Sequence, residues 1–193
     1  MNKSNIGRFL EDYSFGEVIA HTVPRTLTEG ERALYPARHA LNSSDEFARN
    51  CGLPSAPVDY WDAFHMVFGK TVLDISLNAV ANLGYAEGRW LAPIFTGDTV
   101  QAVSEVIKLK ENTNGKTGIV YLRTRGVNQH GDSVLEYVRW AMLSKRQISS
   151  PAPQAVLPKF AGAVDPADLC VPEDLDFSNY AFDLAGEPYR LSA

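Results

Sequence analysis

Between residues 37 and 57 the chain reads ARHALNSSDEFARNCGLPSAP, which gathers His39, Asn42, Ser43, Ser44, Asp45 and Cys51. His39 exchanges protons near neutral pH, and paired with Asp45 or Asp59 it would make an acid/base couple. Asn42 can position a water or a carbonyl but cannot accept a proton at neutral pH. The same residues also suit turns and helix caps, so a catalytic loop and a purely structural one both remain open. Further along, Asp62 and His65 are three apart and share a helix face. Asp59 and Asp62 also suit a helix N-terminus, where the dipole favours negative charge. In NLGYAEGRW (82–90), Tyr85, Glu87 and Arg89 follow Gly84, and a solvated strand edge is one account of them. Cys51 and Cys170 are the only cysteines and no Cys/His ligand spacing occurs, so no metal is expected.

These residues need elements to hold them. EVIAHTVPRTLT reads as a strand that Pro24 confines to an edge or bend. Thr28 with Glu31 forms a capping-box pattern that opens a helix through GERALYPARHAL. Ser44 or Asp45 caps a short helix that Gly52 ends. After Pro57, the segment VDYWDAFHMVFGKTV has apolar residues around most of its circumference, the pattern of a buried helix. Four strand-like segments follow, with NTNG and NQHGD as hairpin turns. In the last two, Val120, Leu122 and Thr124 alternate with Ile119, Tyr121 and Arg123, and Leu135, Tyr137, Arg139 and Ala141 oppose Val134, Glu136, Val138, Trp140 and Met142. The fold class is therefore α+β: an antiparallel sheet wrapped around one central helix.

Composition changes near Lys145. Five prolines between Pro151 and Pro172 exclude long helices and central strands there. The expected division is a folded domain at 1–146 and an extended C-terminal arm or linker at 147–193. The 193-residue chain carries a formal net charge of −5 with 45% apolar residues, which suits a single core and argues against nucleic acid as partner. No apolar run reaches the ~20 residues of a membrane helix, the first ten residues do not read as a signal peptide, and sparse cysteines fit a reducing, cytoplasmic setting.

The element order, with PIFTGDTV leading into a long strand, resembles the hot-dog fold. Leu41, Phe47, Ala48, Gly52 and Pro57 keep the loop spacing of the MaoC-type enoyl-CoA hydratases. FHMVFGKTVLDISLNAVANLGYAEGRW, GKTGIVYLRTRGVNQ and VLEYVRWAMLSKR are similar to the N-terminal half of the mesaconyl-CoA hydratase (β-methylmalyl-CoA dehydratase) branch. That resemblance implies reversible hydration of a 2-enoyl-CoA. An Asp and a His activate one water, and backbone N–H groups at the start of the central helix stabilise the enolate. The CoA thioester is then a substrate, and no further cofactor is implied.

Residue by residue, the resemblance puts Ala37 at the catalytic Asp position, His39 at the Asn position and Asn42 at the His position. The motif that opens the family's helix becomes PVDYW, with Tyr60 at its His and Trp61 at its Gly. Both proton-transferring groups are missing. The resembling enzymes are fused double hot dogs about twice this length, with the catalytic loop in the second half. The implied role is therefore the acyl-CoA-accommodating half, in a homodimer or in a heterodimer with a catalytic MaoC-type subunit. Within the family, Tyr85 and Arg89 would border the pantetheine channel. A non-catalytic acyl-CoA binding module, and a hot-dog thioesterase using Asp59 or Asp62 on the helix, are the alternatives.

Overall fold

The computed structural model describes residues 7–21, 23–39, 44–148 and 159–160, with the side chains of 35–39 and 47 excepted. The elements in order are β1 (Val18–Ala20), β2 (Arg25–Thr26), α1 (Glu29–His39), α2 (Asp45–Asn50), α3 (Tyr60–Thr71), β3 (Ala79–Trp90), β4 (Thr99–Glu111), β5 (Thr117–Val127) and β6 (Ser133–Ser144). The strands pair antiparallel in the order β1-β4-β5-β6-β3, and β2 also pairs with β4. The expected strand around Pro24 is split into β1 and β2. A proline cannot donate to the ladder, and Val23 before it takes a left-handed φ of 61°.

α1 opens on the capping box read from the sequence: Glu31 accepts from the Thr28 N–H, and the Glu31 N–H points at the Thr28 hydroxyl. Asp45 behaves differently from expectation. It is already inside α2, and its carboxylate accepts from the Ala56 N–H and from Arg32, both at 2.9 Å. It therefore staples the loop after α2 back to α1, and the cap position falls to Ser44.

The alternation of β5 sorts as expected, whereas in β6 Val134 and Val138 on the opposed face are buried as well. Val120, Leu122, Thr124, Leu135, Tyr137, Arg139 and Ala141 all turn inward and are buried. α3 lies across that inner face through Ala63, Met66 and Val67, which pack with Leu27, Val58, Val100, Ala102 and Leu135. A second apolar cluster, including Leu10, Ile75, Val106, Leu122 and Leu143, fills the other end of the sheet. α3 is not buried all round, however: Trp61 is 52% exposed and Tyr60 42%. Its first turn faces the open edge strand β3, where Val80 and Leu83 are also exposed, as is Leu91 just beyond it. Among the described residues no helix is long and apolar enough to cross a membrane.

On the outer face, Lys108, Tyr121, Trp140 and Gly84 follow one another in register across β4, β5, β6 and β3. Lys108 Nζ sits 4.4 Å from the Tyr121 ring centroid, and Tyr121 stacks on Trp140 at 5.7 Å. Phe160, one of two described arm residues beyond 148, stacks on both rings at 6.0 and 5.6 Å. Residues 149–158 and 161–193 of the arm lie outside the described residues. Gly84 makes room for this stack, since a Cβ there would fall 2.6 Å from Trp140 Cζ2. We expect Gly84→Ala to lower the unfolding free energy by about 1–3 kcal/mol in urea melts. An unchanged midpoint would show that Trp140 yields freely.

Candidate functional site

An open, almost wholly apolar cleft of about 270 Å³ lies between the first turns of α3 and the end of β3. Trp61, Phe64, Tyr85, Trp90 and Tyr137 form most of its wall. The rings touch edge to face: Trp61 and Trp90 at 5.3 Å between centroids, Phe64 and Tyr137 at 5.1 Å, Phe64 and Tyr85 at 5.7 Å. The Trp90 indole N–H reaches the Tyr60 carbonyl at 3.2 Å, which ties the strand end to the helix start. Such a cleft suits a flat or branched acyl group more than a charged one.

A bulge builds this wall. The β3–β6 register steps from Ala86↔Val138 to Arg89↔Glu136, so β3 holds one extra residue, and Glu87 there has a φ of 53°. Strict alternation puts Tyr85, Glu87 and Arg89 on one face, and the bulge separates them. Tyr85 stays inward, Glu87 pairs with Arg123 at 3.0 Å, and Trp90 rather than Arg89 returns to the inner face opposite Leu135. Arg89 stays exposed at the rim, in register with Glu136.

The helix terminus beside the cleft is already occupied. Asp59 is the N-cap of α3, and its carboxylate accepts from the Trp61 N–H at 2.8 Å. The chain's own carboxylate thus takes one donor of that terminus and adds negative charge beside the cleft. Asp62 follows in the first turn, and burial holds its carboxyl above the usual aspartate range.

Beyond the cleft a polar seam crosses the inner sheet between the two apolar clusters. His21 Nδ1 meets Asp74 at 2.7 Å, His21 Nε2 meets the Ser104 hydroxyl at 2.7 Å, and Ser104 meets Thr124 at 2.7 Å. The order Asp–His–Ser is that of a hydrolase relay. Ser104 is fully buried and shared between His21 and Thr124, so the trio serves the fold. At the same level, wholly buried Arg139 lies with its Cζ 4.8 Å from the Phe68 ring centroid. Neither its guanidinium nitrogens nor the buried Tyr137 hydroxyl has a hydrogen-bond partner among the described residues. Tyr85 near Arg139, and Thr71 and Thr124 near Tyr137, fall outside hydrogen-bonding geometry.

Of the residues singled out from sequence, Tyr85 and Arg89 do line the cleft, and Asp59 sits beside it as a cap. His39 ends α1, but its side chain, like Ala37 and Asn42, lies outside the described residues. His65 is exposed on α3 against Phe64. Cys51 is buried and unpaired; Cys170 lies outside the described residues. No His/Cys/Asp/Glu group suited to a metal occurs among the described residues. Trp61, Trp90, Tyr137 and Arg139 were not marked as site residues. Arg139 had a signal in the sequence, since the alternation of β6 puts a charged residue on the same face as Leu135, Tyr137 and Ala141.

A sheet wrapped on one helix, with an acyl-sized cleft where the helix start meets the sheet edge, defines a hot-dog domain of the MaoC type. The chain belongs to the mesaconyl-CoA hydratase family, whose model matches residues 1–175. It is 65% identical to the mesaconyl-CoA hydratase of Cereibacter sphaeroides and 50% identical to the beta-methylmalyl-CoA dehydratase of Chloroflexus aurantiacus, in each case over 97% of this chain. It spans 56% and 54% of those relatives, or about half their length. A crystal structure of a MaoC domain protein dehydratase from C. aurantiacus superposes with a TM-score of 0.85 at 49% identity, covering 98% of this chain and 55% of that one.

Burial lowers the His21 pKa, opposed by its bond to Asp74. Below the ordinary value of 6.5 the unfolded chain therefore binds the proton more readily than the folded one. We expect His21 to contribute full stability above that pH and to lose it as pH falls through the lowered folded value. Urea melts across this range should show a steeper acid loss for the wild type than for His21→Gln; parallel curves would contradict the assignment.

Proposed function

We propose that this chain is the acyl-CoA-accommodating half of a MaoC-type hydratase/dehydratase. Its substrate class is a short, branched dicarboxylic acyl-CoA such as mesaconyl-CoA. The reading is carried by one observation: an aromatic, acyl-sized cleft sits beside a helix terminus that is capped by Asp59. Ala37 and Asn42, at the positions where the resembling enzymes carry Asp and His, support it.

Hydration of a 2-enoyl-CoA needs a base to take a proton from water, a donor for the α-carbon, and positive dipoles for the thioester oxygen. Among the described residues no such set lines the cleft. Its part is to bind the acyl group, exclude water from it and hold it in one orientation. A second hot-dog domain supplies the Asp and His. The open edge of β3 and the exposed Val80, Leu83 and Leu91 suit cover by that domain, in the same polypeptide or in a second subunit. Arg89 at the rim is placed for a CoA phosphate.

We expect the purified chain to hydrate mesaconyl-CoA no faster than buffer, and activity to appear on addition of a MaoC-type domain that carries the Asp/His loop. Turnover by the chain alone would overturn the reading. If Asp59→Asn and Asp62→Asn leave thioester hydrolysis by the chain intact, neither residue is a thioesterase base.

A further inference from the structure

We propose that Arg139 and Tyr137 form the seat for the free carboxylate of a dicarboxylic acyl group held in the aromatic cleft. This rests on the reading of the cleft as an acyl-CoA site, and names what that site does with the far end of its ligand.

Two buried hydrogen-bonding groups, without partners among the described residues, share one face of β6, and one of them is part of the cleft wall. The Tyr137 ring lines the cleft while its hydroxyl is buried. Arg139 is two residues further along the same face of β6, about 7 Å deeper. It is in register with Tyr85, another wall residue. The guanidinium is wholly buried and belongs to none of the ion pairs among the described residues. Asp74, the carboxylate nearest the seam's imidazole, is bonded to His21.

An arginine stays charged even when buried, and a lone buried charge is strongly unfavourable unless an anion meets it. Phe68 covers one face of the guanidinium. A cation–π contact leaves the N–H donors in the guanidinium plane free for a carboxylate. Burial pushes the Tyr137 phenol up to about 12, so it remains an O–H donor across the physiological range. Two donors on one strand face, behind an apolar vestibule, match a ligand with an apolar middle and an anionic end. Tyr85 forms the door: it is 43% exposed on the edge strand, and its hydroxyl accepts from Asn82 at 2.8 Å.

The test is calorimetric titration of the full chain with mesaconyl-CoA and with 2-methylcrotonyl-CoA, in which a methyl group replaces the carboxylate. The wild type should favour the dicarboxylic ester by about tenfold or more. Arg139→Gln should abolish that preference while still binding the neutral ester. Tyr137→Phe, which deletes only an unpartnered hydroxyl, should reduce the preference severalfold without lowering the melting temperature. Should Arg139→Gln fail to fold, Tyr137→Phe decides. Equal affinity of the wild type for both esters, or a preference kept in either folded variant, overturns the carboxylate seat alone. Failure of both esters to bind the wild type overturns the acyl-CoA reading and this inference with it.

Discussion

The packing of α3 against the inner face of the sheet is the contact on which the rest of the structure depends. Burial of Met66 and Val67 contributes about 1.5–3 kcal/mol each, and both lie where β4 and β6 present small or branched residues. Gly126 lets the helix come this close, since a Cβ there would meet Val67 at 2.7 Å. Once that face is committed, the opposite side of the helix start has nowhere to bury itself. Trp61, Phe64 and Phe68 turn towards β3, and the bulge at Glu87 brings Trp90 round to meet them. The cleft is the space left by a helix that packs on one side only.

The polar seam divides the core in two and carries the chemistry that an apolar core would lack. Replacing a buried charge by an apolar residue of similar size is often neutral or stabilising. A buried Arg139 with no carboxylate partner among the described residues is therefore a feature that stability alone does not explain. His21, Ser104 and Thr124 satisfy one another, while Arg139 and Tyr137 do not. The contrast separates the half of the seam that supports the fold from the half that faces the ligand.

Much of this was legible in the residues. The β5 alternation, the Thr28–Glu31 cap and the halt at Gly52 follow from local chemistry, and all appear in the structure. Circumferential apolarity in α3 was read as full burial, but periodicity cannot distinguish a core neighbour from an open edge. Ser44 and Asp45 both suit a cap by residue type; a tertiary bond to the Ala56 N–H takes the Asp45 carboxylate and leaves the cap position to Ser44. The bulge at Glu87 has no two-residue signature, so the sequence does not show that Tyr85 and Arg89 fall on different faces. Alternation puts Tyr137 and Arg139 on one face of β6, but only the structure shows that this face turns inward and that neither group has a partner among the described residues.

A crystal structure of the chain with mesaconyl-CoA bound tests the acyl-CoA reading most directly. The acyl group should lie among Trp61, Phe64, Tyr85 and Tyr137, with the CoA leaving past Arg89 at the edge of β3. An acyl group seated elsewhere, for example against Arg123 and Arg125 on the outer face of the sheet, would contradict it.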